Sequence, residues 1–362
     1  MCDHPKCSTV VGKADFCVKV PTISAMPLLQ RLLNTLFGQY GPNVSANIDS
    51  IFFSVKCFLM LRHKIIEFDI VHTYLFWFAL ICALSPTLRK KTFLTELSGD
   101  WVEVAKRNED LMSFLRYRIL GVFVLNRIRV IAQNEVSKSY MVLSGVKAEN
   151  LHVVIHGRSN PEIFHPTVSK GENRFQVLYV GRIVPQKGLR TLVEAADTFV
   201  NMMGHHETRF LVIGPVGAFG IQTSSPYFDR VLETLAKRSL TSYFSFMNYV
   251  ELERLVDAYS ASDVYVLPSS SDAMPSSVTE AMMCGTPVIG TTSGGMVEQI
   301  EDGVTGFLVT PGDAKSVAHK LEFFFRNRSR CHEMGMHARE HAIRKLSSAT
   351  LAVDLYKALT RS

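Results

Sequence analysis

Two carboxylates stand eight residues apart in the segment LPSSSDAMPSSVTEAMMCGTPVIG, residues 267–290. Asp272 lies in a predicted loop, and Glu280 lies in the first turns of a helix predicted to begin after Pro275. The start of a helix carries open backbone amides, which attract anions. Glu280 could accept two hydroxyls of a ribose, and a capped helix with a solvated Glu is the structural alternative.

A pair of cations follows a predicted buried strand at residues 176–180. The strand breaks at Gly181, with Arg182 next and Lys187 five residues further on. Ligands of open α/β sheets bind at the carboxyl ends of the strands. A planar guanidinium and a point charge at that edge suit a diphosphate, although two solvated loop cations are the simpler interpretation of either residue alone.

A third segment contains Gly294 and Gly295, which precede a short predicted helix and a strand at residues 306–309. A turn without Cβ atoms lets backbone amides approach a phosphate closely. A plain turn at the start of a helix is the alternative interpretation.

Together and in this order, these segments resemble the C-terminal domain of the retaining glycosyltransferases of family 4, the group 1 enzymes with the GT-B fold. The resemblance is dense over residues 153–312. It implies that Arg182 and Lys187 bind the donor's diphosphate, that Glu280 holds the ribose, and that Asp272 faces the donor sugar near the anomeric carbon. Asp272, Arg182 and Lys187 are therefore the expected catalytic residues. The family usually carries Glu where this chain has Asp272, so the carboxylate reaches less far by about one methylene. The other expected donor-binding residues are Gly181, Gly214, Met274, Pro275, Ser276, Ser277, Gly294 and Gly295.

The first half of the chain resembles the same family less closely, in FDIVHTY at residues 68–74, ELSGDW at 96–101 and VIHGRSNPEIFHP at 154–166. The residues expected at the inter-domain cleft are Ser98, Gly99, Gly157 and Arg158. Ser98 stands where the family often has His, and Asn160 where it usually has Asp. The family's opening strand, glycine-rich loop, helix and second strand are not found, so about 50 to 60 residues are expected to be absent.

Strands and helices alternate from Phe175 to Val309, which predicts an α/β fold with a doubly wound parallel sheet. The expected architecture is two Rossmann-like domains facing a cleft, the first one incomplete. Residues 1–152 would form the acceptor-side domain and 153–330 the nucleotide-sugar domain. Residues 331–362 would add C-terminal helices that cross back to the first domain.

Composition and charge limit the class of protein. A formal charge of +6 over 362 residues is too small for a dedicated nucleic-acid binder, and we expect no nucleic-acid partner. Seven scattered cysteines predict a reduced, intracellular protein, and from the polar start we expect no signal peptide. Tyr74–Leu84 is too short to span a bilayer and predicts a buried helix. We therefore expect a cytoplasmic protein, with peripheral contact at the inner face of the membrane as an option.

The expected function is transfer of a sugar from a nucleotide-diphosphate donor to a saccharide or lipid-linked acceptor, with retention, in polysaccharide or glycolipid biosynthesis. No cofactor and no metal are expected, because no D-x-D motif is evident and Cys2, His4 and Cys7 lack further ligands. The main alternative is a catalytically impaired, nucleotide-sugar-binding paralogue with a regulatory role. A sugar-nucleotide epimerase is a further alternative. A dinucleotide dehydrogenase is disfavoured by the glycine spacing of residues 214–220. The basic and apolar run at residues 114–129 could rest on an acidic membrane, or be an ordinary helix with a basic face.

Overall fold

The computed structural model of the chain describes residues 41–74, 76–96, 122–143, 145–155, 157, 159–168, 174–217 and 224–360. The sequence also predicts a strand at residues 16–22 and helices at residues 28–37 and 110–125. The strand, the first helix and most of the second helix lie outside these ranges. The chain divides into two compact units, residues 1–95 with 107–130, and residues 96–106 with 131–362. The domain boundaries given above remain predictions.

The first unit contains a parallel strand pair and two packed helices. Its elements are α1 (Gly41–Ile65), β1 (Val71–Thr73), α2 (Phe76–Leu84), β2 (Thr92–Glu96) and α3 (Val122–Leu125). Strands β1 and β2 run parallel, with Val71 opposite Thr92. Phe58 of α1 meets Phe78 of α2 edge to face, with ring centroids 6.4 Å apart. Helix α2 agrees with the buried helix predicted over Tyr74–Leu84, and its apolar side chains are largely buried.

The second unit holds most of the regular structure. Its strands are β3 (Arg129–Ala132, which crosses the border between the units), β4 (Leu151–Val153), β5 (Phe175–Val180), β6 (Thr208–Ile213), β7 (Phe244–Met247), β8 (Val264–Val266), β9 (Val288–Thr291) and β10 (Gly306–Val309). Its helices are α4 (Glu135–Leu143), α5 (Leu189–Ala196), α6 (Pro226–Lys237), α7 (Leu252–Ala261), α8 (Ser276–Met283), α9 (Met296–Gln299), α10 (Ala314–Arg326), α11 (Arg328–Leu346) and α12 (Ser348–Thr360).

Strands β5 to β10 form one six-stranded sheet in the order β10-β9-β8-β5-β6-β7. Every pair in it is parallel, which confirms the predicted α/β fold. The chain lays down β5, β6 and β7 toward one edge and β8, β9 and β10 toward the other. The order therefore reverses between β5 and β8. In such sheets a crevice opens beside the reversal, at the carboxyl ends of the two central strands.

The core of the second unit lies on both faces of this sheet, because its strands are covered by helices on each side. Strand β8 is completely buried. The largest fully buried side chains of this core include Tyr179, Tyr259 and Tyr265. A buried tyrosine hydroxyl needs a hydrogen-bond partner. The partners of these three hydroxyls, described below, lie close to the crevice.

The expected C-terminal helices are α11 and α12. They are separated at Ser347, whose backbone is extended (φ −78°, ψ 156°). The Ser347 hydroxyl accepts a hydrogen bond from the amide of Thr350 at 3.1 Å, and the amide of Ser348 donates to the carbonyl of Ser159 at 3.0 Å. The break therefore begins a new capped helix, α12.

Candidate functional site

Two loops at the carboxyl ends of the central strands are bound directly to each other. We call residues 181–188 the β5 loop and residues 267–275 the β8 loop. The hydroxyl of Ser269 and the amide of Ser270 donate to the carbonyl of Gln186, at 2.8 and 2.9 Å. Gly188 has φ +73°, and a Cβ atom there would lie 2.0 Å from the carbonyl oxygen of Pro268. Glycine at this position therefore allows the two loops to touch.

Lys187 and Asp272 form an ion pair between the two loops. Their side chains are only 17% and 14% exposed, so the pair is shielded from most solvent. An ammonium group has three donors, and one hydrogen bond to Asp272 leaves two for a ligand. Arg182 is exposed on the same β5 loop, and its carbonyl accepts a hydrogen bond from the Tyr179 hydroxyl at 3.2 Å. The sequence did not predict the pairing of Lys187 with Asp272, and the donor contacts expected of Arg182, Lys187 and Asp272 remain predictions.

The turn at Gly294 and Gly295 packs against the β8 loop. Gly294 has φ +61°, and a Cβ atom there would lie 1.8 Å from the carbonyl oxygen of Asp272. A Cβ atom on Gly295 would lie 2.0 Å from the carbonyl of Ala273 and 2.9 Å from the Sδ of Met274. The Gly295 amide donates to the Asp272 carbonyl at 3.1 Å. The expectation that both amides face a phosphate is therefore not met by Gly295, whose N–H is used to hold the β8 loop.

Glu280 is held by a buried tyrosine. The Tyr259 hydroxyl donates to Glu280 Oε2 at 2.8 Å. Burial raises the pKa of the Glu280 carboxyl, while hydrogen bonds from Tyr259 and Ser276 act in the opposite direction. Burial also raises the pKa of Tyr259 well above its ordinary value, so this hydroxyl stays a donor. The alternative of a solvated Glu is wrong, and the ribose contact remains a prediction.

The start of α8 after Pro275 agrees with the sequence prediction, and the helix ends at Met283, directly before Cys284 and Gly285. Two hydroxyls of its first turns are already bonded within the protein. Ser277 Oγ lies 2.8 Å from the Tyr265 hydroxyl, and Thr279 Oγ1 accepts from Gln299 Nε2 at 2.9 Å. The same Gln299 amide donates to the Pro275 carbonyl at 3.0 Å. Ser276 is the exposed residue of this turn.

Gly181 and Gly214 continue the pairing of β5 and β6 beyond the ends of the strands. The Gly181 amide donates to the Ile213 carbonyl at 3.0 Å, and a Cβ atom on Gly214 (φ +149°) would lie 2.0 Å from the Gly181 carbonyl. A parallel bridge between Ile183 and Val216 extends the pairing further. The β5 loop therefore begins on a rigid base, and donor contacts by these glycines remain predictions.

The residues predicted at the inter-domain cleft are only partly described. A Cβ atom on Gly157 would lie 1.8 Å from the carbonyl oxygen of Leu346, so glycine is required there for packing against the end of α11. Ser98, Gly99 and Arg158 lie outside the described residues, as do Cys2, His4 and Cys7. The cleft therefore remains a prediction.

Sequence reasoning missed two side chains at the start of α4. Asn134 Nδ2 donates to the carbonyl of Ala273 at 2.6 Å, and Asn134 Oδ1 accepts from the amide of Ser137 at 2.7 Å. Glu298 Oε1 accepts from the amide of Glu135 at 2.7 Å. An Asn before a helix is a readable cap signal, but no local signal reveals a partner 139 residues away.

Among the described residues, no group of three His, Cys, Asp or Glu side chains is arranged to hold a metal ion. No helix in those ranges is both long enough and apolar enough to cross a bilayer. Four cysteines lie within the described ranges, and all four are free thiols.

The sequence profile of the family described as "Glycosyl transferases group 1" matches residues 160–341, which is half of the chain. This range contains the six-stranded sheet, both central loops and the Gly294–Gly295 turn. The chain belongs to the group 1 glycosyl transferases.

Several related proteins are D-inositol 3-phosphate glycosyltransferases. The one from Nocardia farcinica is 32% identical over 166 residues, which cover 46% of this chain and 36% of that protein. The one from Gordonia bronchialis is 28% identical over 224 residues, covering 59% of this chain and 48% of that protein. The chain thus spans roughly a third to a half of the length of such relatives.

Solved structures share the fold over most of the chain. HepE of Anabaena in complex with UDP has a TM-score of 0.71 at 20% identity, covering 85% of this chain and 82% of that one. Sucrose-phosphate synthase of Thermosynechococcus elongatus has a TM-score of 0.69 at 22% identity, covering 80% and 73%. At these identities the likeness shows the GT-B fold alone.

Proposed function

We propose that this chain transfers a sugar from a nucleoside-diphosphate sugar to an acceptor hydroxyl, with retention of anomeric configuration. The observation that carries the proposal is the Lys187–Asp272 pair between the two central loops. In the proposed site, this pair would set a cation for the diphosphate against a carboxylate for the sugar. Both stand where the strand order reverses, which is the usual ligand position in such sheets.

The cations would stabilise the charge that develops on the leaving diphosphate. Lys187 keeps two N–H donors while bonded to Asp272, and Arg182 is exposed on the same loop. Fixed donors of this kind act most strongly in a partly shielded site. They can replace a divalent metal, so the proposal includes no metal and no cofactor.

Glu280 would bind the ribose of the donor. Its Oε2 is bonded to Tyr259, but a carboxylate offers about four lone-pair positions and can accept further hydroxyls. Because Tyr259 is fully buried, it fixes the orientation of Glu280 before any ligand arrives.

In the transfer step, the acceptor hydroxyl oxygen forms a bond to the anomeric carbon while the bond from that carbon to the diphosphate oxygen breaks. Attack on the face that the diphosphate leaves gives retention. The proton of the acceptor hydroxyl passes to the departing phosphate oxygen. Asp272 would position the sugar and stabilise positive charge at the anomeric carbon.

Names of related proteins suggest where to begin with substrates. The HepE structures contain UDP and UDP-glucose, so we propose UDP-sugars as the first donors. Several related proteins are named for D-inositol 3-phosphate, which makes this compound the first acceptor to test. Other saccharide and lipid-linked acceptors belong in the same panel.

Binding is tested by thermal shift and titration calorimetry with UDP-, GDP- and ADP-glucose. A donor at a hundred times its dissociation constant should stabilise the fold by about 2.7 kcal/mol. The variants Arg182→Ala and Lys187→Ala should each weaken diphosphate binding by about 1.5–3 kcal/mol, the scale of charged hydrogen bonds. The nucleoside without phosphates should bind parent and variants alike. Lys237→Ala, an exposed cation in the last turn of α6, is the matched control and should change neither affinity.

Transfer is tested by incubating parent protein with donor and the acceptor panel, and the anomeric configuration of the product is read by NMR coupling constants. Binding without transfer would favour the regulatory alternative, and donor conversion without acceptor would favour the epimerase. Unchanged diphosphate affinity in both the Arg182 and Lys187 variants would remove the cations from the proposed site. An inverted product would contradict retention.

A further inference from the structure

The amino end of α4 is attached to the candidate site at two points. Asn134 donates from Nδ2 to the Ala273 carbonyl at 2.6 Å, and Glu298 accepts from the Glu135 amide at 2.7 Å. Ala273 follows Asp272 directly, and Glu298 belongs to α9, the short helix after the Gly294–Gly295 turn. The start of α4 therefore contacts both segments that shape the surroundings of Asp272.

Asn134 is fully buried, and both ends of its amide are bonded. Oδ1 accepts from the Ser137 amide at 2.7 Å and caps α4, while Nδ2 donates to the Ala273 carbonyl. A buried amide with both ends satisfied has a single orientation, because rotating it would leave unpaired polar atoms. Asn134 thus ties the position of the Ala273 carbonyl to the start of α4.

Three elements fix Asp272 and the peptide that follows it. Lys187 binds the carboxylate, the Gly295 amide binds the Asp272 carbonyl at 3.1 Å, and Asn134 binds the next carbonyl. The first holds the end of the side chain, and the other two hold the carbonyls of two successive peptide units, 272–273 and 273–274. Asn134 therefore restrains the backbone one peptide unit beyond the Asp272 carbonyl, and so limits how the loop that carries Asp272 can move.

Glu298 sets the place where α4 begins. Its carboxylate accepts a hydrogen bond at the amino end of the helix, where a negative charge is favoured. Burial raises the pKa of Glu298, and the hydrogen bond from the Glu135 amide opposes that rise. Glu298 and Asn134 therefore connect α9, the start of α4 and the β8 loop in one continuous set of hydrogen bonds.

We propose that Asn134 is a positioning residue for the donor sugar. Its side chain holds the Ala273 carbonyl and so restrains the loop that carries Asp272. Glu298 holds the amino end of α4, the helix that Asn134 caps. The inference rests on the proposed function for its catalytic consequence, but its structural core concerns hydrogen bonds alone. It assigns a role in turnover to a side chain that does not itself touch the substrate.

Two substitutions separate the capping role of Asn134 from the positioning role. Asn134→Ser keeps a hydroxyl that caps α4 but is too short to reach Ala273. Asn134→Asp keeps the capping oxygen and replaces the Nδ2 donor with an acceptor facing a carbonyl. Asp313→Ala removes the cap of α10, where Asp313 accepts from the Ser316 amide at 3.0 Å, and serves as the matched loss of a helix cap.

The measurements are kcat and donor KM with the best donor, and hydrogen exchange of the peptide covering residues 271–276 by mass spectrometry. Both Asn134 variants should exchange faster there, and kcat should fall about tenfold with donor KM changed less than about threefold. Glu298→Ala should raise exchange at the same peptide. Asp313→Ala should lower the melting temperature and leave exchange at residues 271–276 and kcat unchanged.

Parent-like exchange at residues 271–276 in Asn134→Ser and Asn134→Asp would overturn the inference, whether or not the protein turns over sugar. Faster exchange with parent-like kcat would overturn the catalytic part. An inactive parent would contradict the proposed function, while the exchange result would still decide whether Asn134 positions the loop.

Discussion

Replacing Gly294 with alanine tests whether the backbone position of Asp272 matters for chemistry, and Gly303 provides a matched control. Both glycines have left-handed backbones, with φ +61° and +76°. A Cβ atom on Gly294 would lie 1.8 Å from the Asp272 carbonyl, whereas a Cβ atom on Gly303 would have nothing within 4 Å. Gly303→Ala therefore measures the backbone cost alone, which is about 1–2 kcal/mol for a left-handed non-glycine residue.

Gly294→Ala adds a displacement to this cost. The gap between the new Cβ and the Asp272 carbonyl must open by roughly 1.2 Å to reach the 3.0 Å that real Cβ contacts respect. The hydrogen bond from the Gly295 amide to the same carbonyl is then lost, at about 1 kcal/mol. We expect Gly294→Ala to lose at least about 1 kcal/mol more unfolding free energy than Gly303→Ala. If Asp272 acts in the transfer as proposed, a shift of this size should lower kcat about a hundredfold.

The assays are urea unfolding of both variants and steady-state kinetics with saturating donor. Gly303→Ala should keep the parent's kcat despite its loss of stability. If Gly294→Ala retained a kcat within about threefold of Gly303→Ala, the idea that the turn positions Asp272 for transfer would be refuted.

Three further substitutions concern the carboxylates. Burial raises the pKa of Glu280, so the folded state binds a proton more readily than the unfolded chain, and the free energy of unfolding falls as pH rises through the folded-state pKa. Glu280→Gln should therefore be more stable than the parent above that pKa and lose this advantage near pH 4, while its donor affinity falls. Thermal melts from pH 4 to 8 measure the stability difference, and a difference that does not depend on pH would contradict the prediction. Asp272→Asn should lower kcat and leave donor affinity unchanged. Asp272→Glu should raise kcat, because it restores the longer side chain that is usual in the family. An effect on affinity alone in steady-state kinetics would contradict the role assigned to Asp272.

Local patterns predicted the elements that carry the site. The apolar run before Gly181 predicted β5, and Pro275 predicted the start of α8. These signals work because they depend on neighbouring residues: buried parallel strands are continuous apolar runs, and proline and glycine mark helix ends. Placement of the two loops at one edge followed from the predicted parallel sheet.

Contacts between distant segments could not be predicted in this way. Lys187 and Asp272 are 85 residues apart, and Tyr259 and Glu280 lie on separate helices. The sequence predicted a ligand contact for each carboxylate and each cation, but it did not predict their partners within the protein. One tyrosine carries a local signal of such a contact: Tyr265 lies inside an apolar strand, so its buried hydroxyl must have a hydrogen-bond partner elsewhere in the protein.

The Gly294–Gly295 turn shows how one sequence signal fits two physical causes. The absence of Cβ atoms predicted close approach of backbone to something, and a phosphate was the expected partner. In the structure the close partner is the backbone of Asp272 and Ala273. The signal for close approach was sound, whereas the identity of the partner depended on a loop more than twenty residues earlier in the chain.

The contact between Lys187 and Asp272 also agrees with the chemistry of the proposed donor. In a nucleoside-diphosphate sugar, the anomeric carbon is joined to the phosphorus through a single bridging oxygen. A residue that binds that phosphate and a residue that stabilises charge on that carbon must therefore lie next to each other. Lys187 and Asp272 satisfy this requirement by direct contact in a largely shielded position. A site in which these two groups were far apart could bind the nucleotide, but it could not act on both sides of the bond that breaks.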